Sequence, residues 1–545
     1  QPHTTEDNGN AYGFALIYSG NFEANIEINP HDSLRINMGI NSFDFRYPLQ
    51  QDESFITPEV ILTFSAAGLQ QLSTQFHNLI NAKIIHQNHA QKERPILVNN
   101  WEATYFDFNQ KKLLAIAKKA KALGIETFCL DDGWFARRND DFSSLGDWYY
   151  NKKKLPSGVK GICDKVNKLG LDFGIWVEPE MVSVDSDLYR EHPEWAVCIP
   201  NNEPALGRNQ LILDMTNKDV ISYLKETLHH LFSSANISYV KWDMNRNFSD
   251  VFSNNLKIED QGKFNHLYVL GLYSLLDYLI NKFPNILFES CSSGGNRFDL
   301  GMLYYMPQIW TSDNTDSYER LLIQEGTSLL YPLSCISNHV SGDRSHQVMR
   351  HTPLETRFNV ASFGVLGYEL DLKYISPVEK KEIKKQIELY KAYRDVFQYG
   401  KFSRFNSIDE HHKVWQVSLG DTHILGNFQT LSHASPDLET LHLKHLDLDD
   451  IYQVSSFGQS MPISDFGHLI SHALPIKLNA YGAIMRMIAK HKQLDNATEE
   501  IIASGKALEH GFRLKQQFMG TGYNDQTRIL GDYGSQLYIA KKIEA

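Results

Sequence analysis

The first part of the chain alternates apolar and polar residues in short steps. Ala15–Tyr18 and Ala24–Ile28 carry this alternation, which glycine, asparagine and proline residues interrupt. A period of two is typical of antiparallel strands with one buried face. A helical pattern follows over Gly68–Leu79, and then a polar linker over Gln87–Pro95. We therefore predict a partial N-terminal β-sandwich over residues 1–90.

From residue 96 onward, short apolar runs alternate with helical stretches, and polar residues collect at the carboxyl end of each run. This repeat predicts an α/β fold, a (β/α)8 TIM barrel over residues 91–398, whose active site lies at the carboxyl ends of its strands. The predicted strands are Ile96–Trp101, Thr127–Leu130, Asp172–Val177, Tyr239–Trp242, Ile286–Phe288, Gln308–Thr311, Leu330–Ser334 and Ser362–Leu366. The helices predicted between them include Lys111–Leu123, Val159–Leu169, Val220–Phe232 and Leu267–Lys282.

Alternation returns after the charged helical stretch Pro377–Phe397, as in Val414–Leu419. We predict a C-terminal antiparallel β-sandwich domain over residues 399–545. Within it, one spacing occurs twice and suggests two similar hairpins. The residues are Gly467, Ile470, Ala473 and Ile476, and then Gly505, Leu508, Gly511 and Leu514.

Charge and hydropathy narrow the classes of partner. The 53 Lys and Arg residues against 65 Asp and Glu give a net charge of -12, and no long basic run occurs. We therefore expect no nucleic-acid partner. No run of about 18 apolar residues could span a bilayer, and the start of the chain lacks the pattern of a signal peptide. We expect no association with a membrane.

Cysteines and histidines indicate neither a disulfide framework nor a metal site. The five cysteines (Cys129, Cys163, Cys198, Cys291 and Cys335) are scattered without a C-x-x-C pair, and the 22 histidines lack H-E-x-x-H spacing. Scattered, unpaired thiols suit a reducing compartment, so we expect a cytoplasmic protein. No metal and no cofactor are predicted.

Two aspartates follow different predicted strands. Asp243 ends the fourth strand together with Lys241, and this spacing of two points both side chains to the same side. The pair is either a structural ion pair or part of an active site. Asp313 follows the sixth strand, where a capping loop is the alternative. Two facing carboxyl groups are typical of glycosidase active sites. They lie about 5–5.5 Å apart in enzymes that retain the anomeric configuration and about 6.5–9.5 Å apart in enzymes that invert it.

A further acidic pair, Asp131 and Asp132, follows the second strand. These carboxylates could chelate a metal, bind sugar hydroxyl groups or lie in an exposed turn. A magnesium-dependent barrel enzyme that uses Asp131, Asp132 and Asp243 as ligands is therefore one alternative function.

Aromatic and small residues also stand at strand ends. Trp101, Trp134 and Trp176 could form the walls of a sugar pocket or belong to the core. Cys291 has no histidine at a neighbouring predicted strand end to activate it, which favours packing or hydroxyl contact over nucleophilic attack. The following pair Gly294–Gly295 would let the backbone approach a ligand closely.

Seven motifs in this order resemble the melibiase-type α-galactosidases of glycoside hydrolase family 36. They are Asn-Asn-Trp-Glu (99–102), Leu-Asp-Asp-Gly-Trp-Phe (130–135), Gly-Ile-Trp-Val-Glu-Pro-Glu-Met (174–181), Gly-Arg-Asn-Gln (207–210), Lys-Trp-Asp-Met-Asn (241–245), Glu-Ser-Cys-Ser-Ser-Gly-Gly (289–295) and Trp-Thr-Ser-Asp (310–313). The resemblance implies a retaining, exo-acting glycoside hydrolase that removes terminal α-linked galactose from melibiose and raffinose-type oligosaccharides by double displacement.

The resemblance also implies a role for each site residue. Asp243 would be the nucleophile and Asp313 the acid/base. The substrate-binding residues would be Asp131 and Asp132 at O4 and O6, Lys241 and Arg208 near O3 and O4, Cys291 and Gly294 near O2, Asn245, and the walls Trp101, Trp134 and Trp176. Lys241 beside Asp243 should keep the nucleophile ionised, and a less polar setting should let Asp313 hold its proton.

Assembly and alternative activities follow from the same resemblance. Family members carry a larger N-terminal β-sandwich, of which only the last strands are recognisable here, and they are often tetramers, so a homo-oligomer is expected. The related alternatives are α-galactosyl transfer and α-N-acetylgalactosaminidase activity. From a different class, the chain could be a catalytically silent sugar-binding protein.

Overall fold

Eight parallel strands close into a barrel at the centre of the computed structural model, which describes residues 3–405, 410–434, 439–469, 479–517 and 527–543. In chain order the barrel strands are Leu97–Asn99, Thr127–Leu130, Asp172–Val177, Ile237–Trp242, Leu287–Ser290, Gln308–Trp310, Ile336–Ser341 and Val365–Glu369. The eighth strand pairs with the first, Gly367 opposite Leu97, and so closes the barrel. The predicted fold class is confirmed.

Helices surround this barrel and bury their apolar faces against it. In Gln110–Leu123 the residues Leu113, Ala117 and Ala120 are fully buried, and the Asn109 side chain caps the first turn by accepting from the backbone N–H of Lys112. The other main helices of this region are Gly158–Lys168, Asp187–Glu191, Lys218–Ser233, Phe264–Lys282, Leu300–Tyr305, Ser317–Thr327 and Leu354–Ala361.

Three predicted strands are placed differently in the structure. The first ends at Asn99, because Trp101–Thr104 forms a helical turn. The seventh was predicted over Leu330–Ser334, which is wrong: the strand is Ile336–Ser341. Its polar residues concealed it, since Asn338, His339 and Ser341 are buried in hydrogen bonds to distant parts of the chain that sequence patterning does not show. The eighth begins three residues later than predicted and ends at Glu369.

The N-terminal strands form two separate antiparallel pairs. Ala11–Ile17 pairs with Glu59–Ser65, and Phe22–Ile28 pairs with Leu34–Ile40. The helix Gly68–Leu79 has the predicted bounds and continues into a π-helical turn. The division at residues 90 and 398 stays a prediction.

A six-stranded antiparallel sheet organises the C-terminal part. In sheet order it consists of Lys401–Arg404, His412–Leu419, Thr422–Gln429, Ser535–Ile543, Ile451–Phe457 and Glu500–Ser504. Smaller elements are the strand pairs Thr440–Leu441 with Phe512–Arg513 and Ser460–Pro462 with Gln493–Asp495, and the helices Ala483–Ala489 and Gly505–His510. The helical stretch before the sheet divides into Pro377–Ala392 and Arg394–Tyr399.

The repeated hairpin predicted in this region is not supported where it can be compared. Ile470, Ala473 and Ile476 lie outside the described residues. The second set begins in the helix Gly505–His510, so the prediction of a hairpin there is wrong. Among the described residues, no helix is both long and apolar enough to cross a membrane.

Two helix glycines offer a matched test of packing outside the barrel. A Cβ at Gly271 would lie 2.0 Å from the backbone oxygen of Met215, whereas a Cβ at Gly326 would meet nothing within 4 Å. We expect Gly271→Ala to destabilise the protein by about 1–3 kcal/mol, because the helix must move away from that carbonyl group. Gly326→Ala should stabilise it by about 0.5–1 kcal/mol, because alanine favours the helix.

Thermal unfolding of the two variants beside the wild type provides the measurement. The midpoint should fall for Gly271→Ala and stay level or rise for Gly326→Ala. Equal midpoints for the two variants would contradict the close approach at Gly271.

Candidate active site

A cavity of about 250 Å³ opens at the carboxyl ends of the barrel strands. Parallel strands direct the residues that follow them toward one end of a barrel, so side chains far apart in the sequence meet there. Nine of the predicted site residues line this cavity: Trp101, Asp131, Asp132, Trp176, Arg208, Lys241, Asp243, Asn245 and Asp313. The structure therefore brings both candidate catalytic aspartates to one site.

Asp243 follows the fourth barrel strand and is held by two N–H donors. The indole Nε1 of Trp176 donates to Oδ2 at 3.1 Å, and the backbone N–H of Met244 donates to Oδ1 at 2.9 Å. The backbone N–H of Asp243 in turn donates to the carbonyl oxygen of Val177, at the end of the third strand. Hydrogen bonds of this kind stabilise a carboxylate charge and fix its orientation.

The predicted pairing of Lys241 with Asp243 is replaced by a pairing across the barrel. The ammonium Nζ of Lys241 lies 3.0 Å from Oδ2 of Asp131, and both side chains are buried. Burial opposes a charged lysine, but the Asp131 charge raises the pKa of Lys241 well above its ordinary value. The interpretation of Lys241 and Asp243 as a direct ion pair is wrong, because the second strand supplies a nearer carboxylate.

Asparagines from the first strand end hold Asp131 in place. Asn99 Nδ2 donates to Oδ2 of Asp131 at 2.5 Å, and the Asn100 side-chain oxygen accepts from the Asp131 backbone N–H at 2.9 Å. Neither asparagine was predicted as a site residue. The Asn-Asn-Trp-Glu motif therefore contributes positioning groups as well as Trp101.

Asp132 forms a buried, forked ion pair with Arg138. The guanidinium Nε lies 3.1 Å from Oδ1, and Nη2 lies 2.9 Å from Oδ2. Burial raises the pKa of Asp132, while the Arg138 charge and hydrogen bonds oppose the rise. A two-pronged pair of this kind restricts the orientation of the carboxylate strongly. Together with the Lys241 contact, it provides both acidic residues of this turn with cationic partners.

Asp313 faces the open cavity from the loop after the sixth strand. The indole Nε1 of Trp310 donates to its Oδ1 at 3.0 Å. Partial withdrawal from bulk water raises the pKa of Asp313, and the nearby negative charge of Asp243 raises it further. A raised pKa is the property that a carboxyl group needs to act as a proton donor.

Three predicted residues lie behind the cavity wall. Trp134 is fully buried, and its Nε1 donates to the backbone oxygen of Trp176 at 2.9 Å. Cys291 is buried, and burial raises its thiol pKa well above the ordinary value. Gly294 packs against the Asp313 loop, where a Cβ would lie 2.7 Å from the Asp313 backbone nitrogen. Trp134 and Gly294 therefore pack against two lining residues, Trp176 and Asp313, from behind.

Arg208 and Asn245 reach the cavity from longer loops. Arg208 lies in the tight turn Gly207–Gln210 with a positive φ of 50° and is exposed. Asn245 is held by its backbone N–H, which donates to Oε1 of Glu178 at 2.6 Å. Both positions agree with the predicted membership of the site.

Three glutamates that were not predicted as site residues also line the cavity: Glu102, Glu178 and Glu369. Burial raises the pKa of Glu102 to about 8, and the charge of Glu369 adds to this rise. Burial also raises the pKa of Glu178 to about 8, with the charge of Asp243 as the next cause. All three stand at the carboxyl ends of barrel strands, and this position could have identified them from the sequence. Glu102 and Glu178 closely follow the first and third strands, and Glu369 ends the eighth.

Glu369 is the buried glutamate with a titratable partner. Burial would raise its pKa, but contact with His339, whose Nδ1 lies 2.9 Å from Oε2, holds it below its ordinary value. His339 lies in the seventh strand, which the sixth strand separates from the fifth strand that precedes Cys291. The prediction that no histidine stands at a strand end next to that of Cys291 is therefore not contradicted.

The outer rim contains further residues that were not predicted. The Tyr105 hydroxyl hydrogen-bonds with His346 and so connects the loops after the first and seventh strands. The remaining unpredicted residues of the lining are Phe106, Arg138, Asp141, Gln210, Trp310, Thr315 and Gln347. Apart from Trp310, which ends the sixth strand, these residues lie outside the barrel strands and carry no periodic signal, so only the folded chain reveals them.

A metal site is disfavoured by the partners of the acidic residues. Asp131 binds the Lys241 ammonium group and Asp132 binds the Arg138 guanidinium group. Within the described ranges, no group of three or more His, Cys, Asp or Glu side chains is arranged to hold a metal ion. Cations of the protein itself therefore occupy the positions that magnesium would need.

The curated relatives that this chain resembles are named as α-galactosidases. The chain is 48% identical over 456 residues to alpha-galactosidase AgaA of Geobacillus stearothermophilus, covering 83% of this chain and 63% of that protein. It is 46% identical over 452 residues to alpha-galactosidase Mel36A of Lactobacillus acidophilus, covering 83% and 62%. The chain thus spans about three-fifths of the length of the curated relatives it matches.

Comparison with solved structures and with family models gives the same family as the curated relatives. The crystal structure of the GH36 alpha-galactosidase AgaA from G. stearothermophilus superposes with a TM-score of 0.87 at 42% identity, covering 99% of this chain and 68% of that one. The alpha-galactosidase from Lactobacillus brevis gives 0.88 at 40% identity, covering 100% and 68%. Residues 54–400 match the Melibiase family model, and residues 1–50 match the glycosyl hydrolase family 36 N-terminal domain. The chain belongs to the Melibiase family.

Proposed function

We propose that this protein is a retaining α-galactosidase with Asp243 as nucleophile and Asp313 as acid/base. The observation that carries the proposal is the contrast between the two carboxyl groups of one cavity. Asp243 accepts two N–H hydrogen bonds, which suit an ionised nucleophile, whereas the raised pKa of Asp313 suits a proton donor. Two carboxyl groups of opposite protonation are what a double displacement requires.

In the first step, a carboxylate oxygen of Asp243 forms a bond to the anomeric carbon of galactose. The bond from that carbon to the leaving oxygen breaks, and Asp313 gives its proton to this oxygen. In the second step, Asp313 takes a proton from water, the water oxygen bonds to the anomeric carbon, and the bond to Asp243 breaks. Two inversions at this carbon return galactose in its original α configuration.

We assign the charged residues of the cavity to galactose hydroxyl groups. Asp131 and Asp132 would accept from O4 and O6, with Lys241 and Arg208 near O3 and O4. Because Lys241 and Arg138 fix the two carboxylates, a sugar with a differently placed O4 would leave buried polar groups unpaired, and this penalty gives specificity. Asn245, Trp101 and Trp176 complete the pocket, with Trp134 behind Trp176. We assign Cys291 and Gly294 to the wall on the side of O2.

The substrate class is terminal α-galactosides of the raffinose type. A variant of AgaA was solved in complex with raffinose and another in complex with stachyose, which supports galacto-oligosaccharides as substrates here. A small cavity at one end of a barrel suits removal of a single terminal sugar, hence exo action. We also propose a homo-oligomer, tetrameric as the resemblance implies, and a cytoplasmic location, which the five free thiols support.

A panel of aryl α- and β-glycosides, with the first-formed anomer followed by NMR, tests the proposal. We expect turnover of the α-galactoside with release of α-galactose. Turnover of an α-N-acetylgalactosaminide instead, or transfer to sugar acceptors in place of hydrolysis, would favour the related activities. Galactose binding without any turnover would identify a silent sugar-binding protein.

Replacement of either catalytic aspartate should abolish hydrolysis without unfolding the protein. We expect Asp243→Asn and Asp313→Asn each to lower kcat on melibiose by about 10⁴-fold or more, since each removes a group that acts in bond exchange. Asp164→Asn is the control, because Asp164 pairs with Lys160 on the surface. Activity near the wild-type level in Asp243→Asn would rule out this nucleophile.

In a plot of kcat/KM against pH, the decrease on the alkaline side (the alkaline limb) should report the ionisation of Asp313. Protonated Asp313 is needed for the first step, so kcat/KM falls as the pH rises through its pKa. The N–H of Trp310 stabilises the ionised form. Trp310→Phe should therefore raise this pKa and move the limb to higher pH.

The matched control for this shift is Trp134→Phe. Trp134 donates to the Trp176 backbone oxygen instead of to a catalytic carboxyl group. Its replacement should leave the limb where it is in the wild type. A limb that moves equally in both variants, or to lower pH in Trp310→Phe, would refute the assignment of this limb to Asp313.

Chelation separates hydrolysis without metal from the magnesium-dependent alternative. Because Asp131 and Asp132 already bind protein cations, excess EDTA should leave the rate on an aryl α-galactoside unchanged. A loss of activity that added magnesium restores would favour the metal-dependent enzyme.

A further inference from the structure

We infer that Arg320 is a positioning residue for Asp313. It holds residues 312–314, which we call the acid/base loop, in their active geometry. Arg320 lies in the helix Ser317–Thr327 that follows this loop, and it is 3% exposed. The inference rests on the proposed function, because it concerns the residue to which we assign proton transfer.

The guanidinium group of Arg320 donates hydrogen bonds to the backbone on both sides of Asp313. Its Nη2 donates to the carbonyl oxygen of Ser312 at 2.6 Å, and its Nε donates to the carbonyl oxygen of Asn314 at 2.8 Å. These two carbonyl groups flank Asp313 in the chain. A planar guanidinium with fixed donor directions therefore sets the orientation of the segment from which the carboxyl group projects.

A second contact reaches the Asp313 side chain through Trp310. The guanidinium carbon of Arg320 lies 4.5 Å from the centre of the Trp310 ring, in the range of a cation–π contact. The same ring donates its Nε1 hydrogen to Oδ1 of Asp313 at 3.0 Å. Arg320 thus supports the carboxyl group by two routes, the backbone of the loop and the indole that binds the carboxylate.

The seventh barrel strand anchors this arrangement. Arg320 Nη1 donates to the side-chain oxygen of Asn338 at 3.0 Å, and the Asn338 amide donates to the carbonyl oxygen of Phe363 at 3.1 Å. The loop is therefore fixed to the seventh barrel strand and, through it, to the segment that precedes the eighth strand. Burial of a charged arginine is unfavourable, and a positioning role would explain why it is kept here. A displacement of about 1 Å at a reacting group can lower the rate about 100-fold.

Leaving-group dependence distinguishes positioning of an acid from general support of the fold. A 2,4-dinitrophenyl α-galactoside needs little protonation of its leaving group, whereas melibiose needs a well-placed acid. We expect Arg320→Met to lower kcat/KM on melibiose by about 100-fold and on the dinitrophenyl substrate by less than about 5-fold. Arg320→Lys keeps the charge but not the two-pronged contact, and should lose about 10-fold on melibiose.

The deglycosylation step supplies a second readout in Arg320→Met. There Asp313 acts as a base on water, and azide needs no base. Azide should therefore raise kcat on the dinitrophenyl substrate, with its nitrogen bonding to the anomeric carbon as the bond to Asp243 breaks, to give α-galactosyl azide. A residue with a purely structural role would produce no such rescue.

Arg94→Met is the matched control for the loss of a buried arginine. Arg94 is 2% exposed and donates from Nη1 to the backbone oxygens of His89 and Lys92, before the first barrel strand begins. We expect its replacement to lower the midpoint of thermal unfolding and to leave the ratio of activities on the two substrates at the wild-type value.

Each outcome decides the inference. Equal losses on both substrates, or wild-type activity in Arg320→Met, would overturn it. If the methionine variant does not fold, wild-type activity in Arg320→Lys would overturn it. If the wild type itself hydrolyses no α-galactoside, the proposed function fails. The crystal structure of Arg320→Met, or of Arg320→Lys in that case, then decides: displacement of residues 312–314 supports the positioning role, and an unchanged loop overturns it.

Discussion

Burial of carboxylates at the mouth of the barrel imposes the constraint on which the site depends. An acidic side chain taken out of water is stable only if cations or N–H donors compensate its charge. Here the compensation crosses strands: Lys241 from the fourth strand binds Asp131 after the second, and Trp176 of the third binds Asp243 after the fourth. Asp131 and Asp243 are therefore each positioned by a strand other than the one that they follow, and closure of the barrel fixes their relative geometry.

The same constraint allows neighbouring carboxyl groups to differ in protonation. Glu369 contacts His339 and keeps its pKa below the ordinary value, whereas burial raises the pKa of Glu102 to about 8. Withdrawal from bulk water, together with the nearby negative charge of Asp243, also raises the pKa of Asp313. A cavity lined by so many acids remains stable because only some of them carry charge at neutral pH.

How much the sequence could predict depended on whether a residue's role is local. The barrel follows from the repeat of buried strand and helix, and seven of the eight strands were found at or near their observed positions. Asp243 and Asp313 were found because a charged residue directly after an apolar run is a local signal. The seventh strand was missed because its buried polar residues find partners far away in the sequence: Asn338 bonds to Arg320 and to the Phe363 backbone, and His339 bonds to Glu369 of the eighth strand. Sequence patterning contains no information on such partners, and for the same reason it assigned Lys241 to Asp243 instead of to Asp131.

The acid/base loop shows how side-chain chemistry and backbone packing act together. From one side, the backbone at Gly294 and Gly295 approaches so closely that a Cβ would lie 2.7 Å from the Asp313 nitrogen and 2.3 Å from the Thr311 oxygen, respectively. From the other side, Arg320 holds the carbonyl groups of Ser312 and Asn314. The glycines follow the fifth strand and the arginine follows the sixth, so the loop is confined between two elements of the barrel. The acid/base role that we propose for Asp313 would benefit from this confinement, because a carboxyl group that gives and then takes a proton needs the same geometry twice in each turnover.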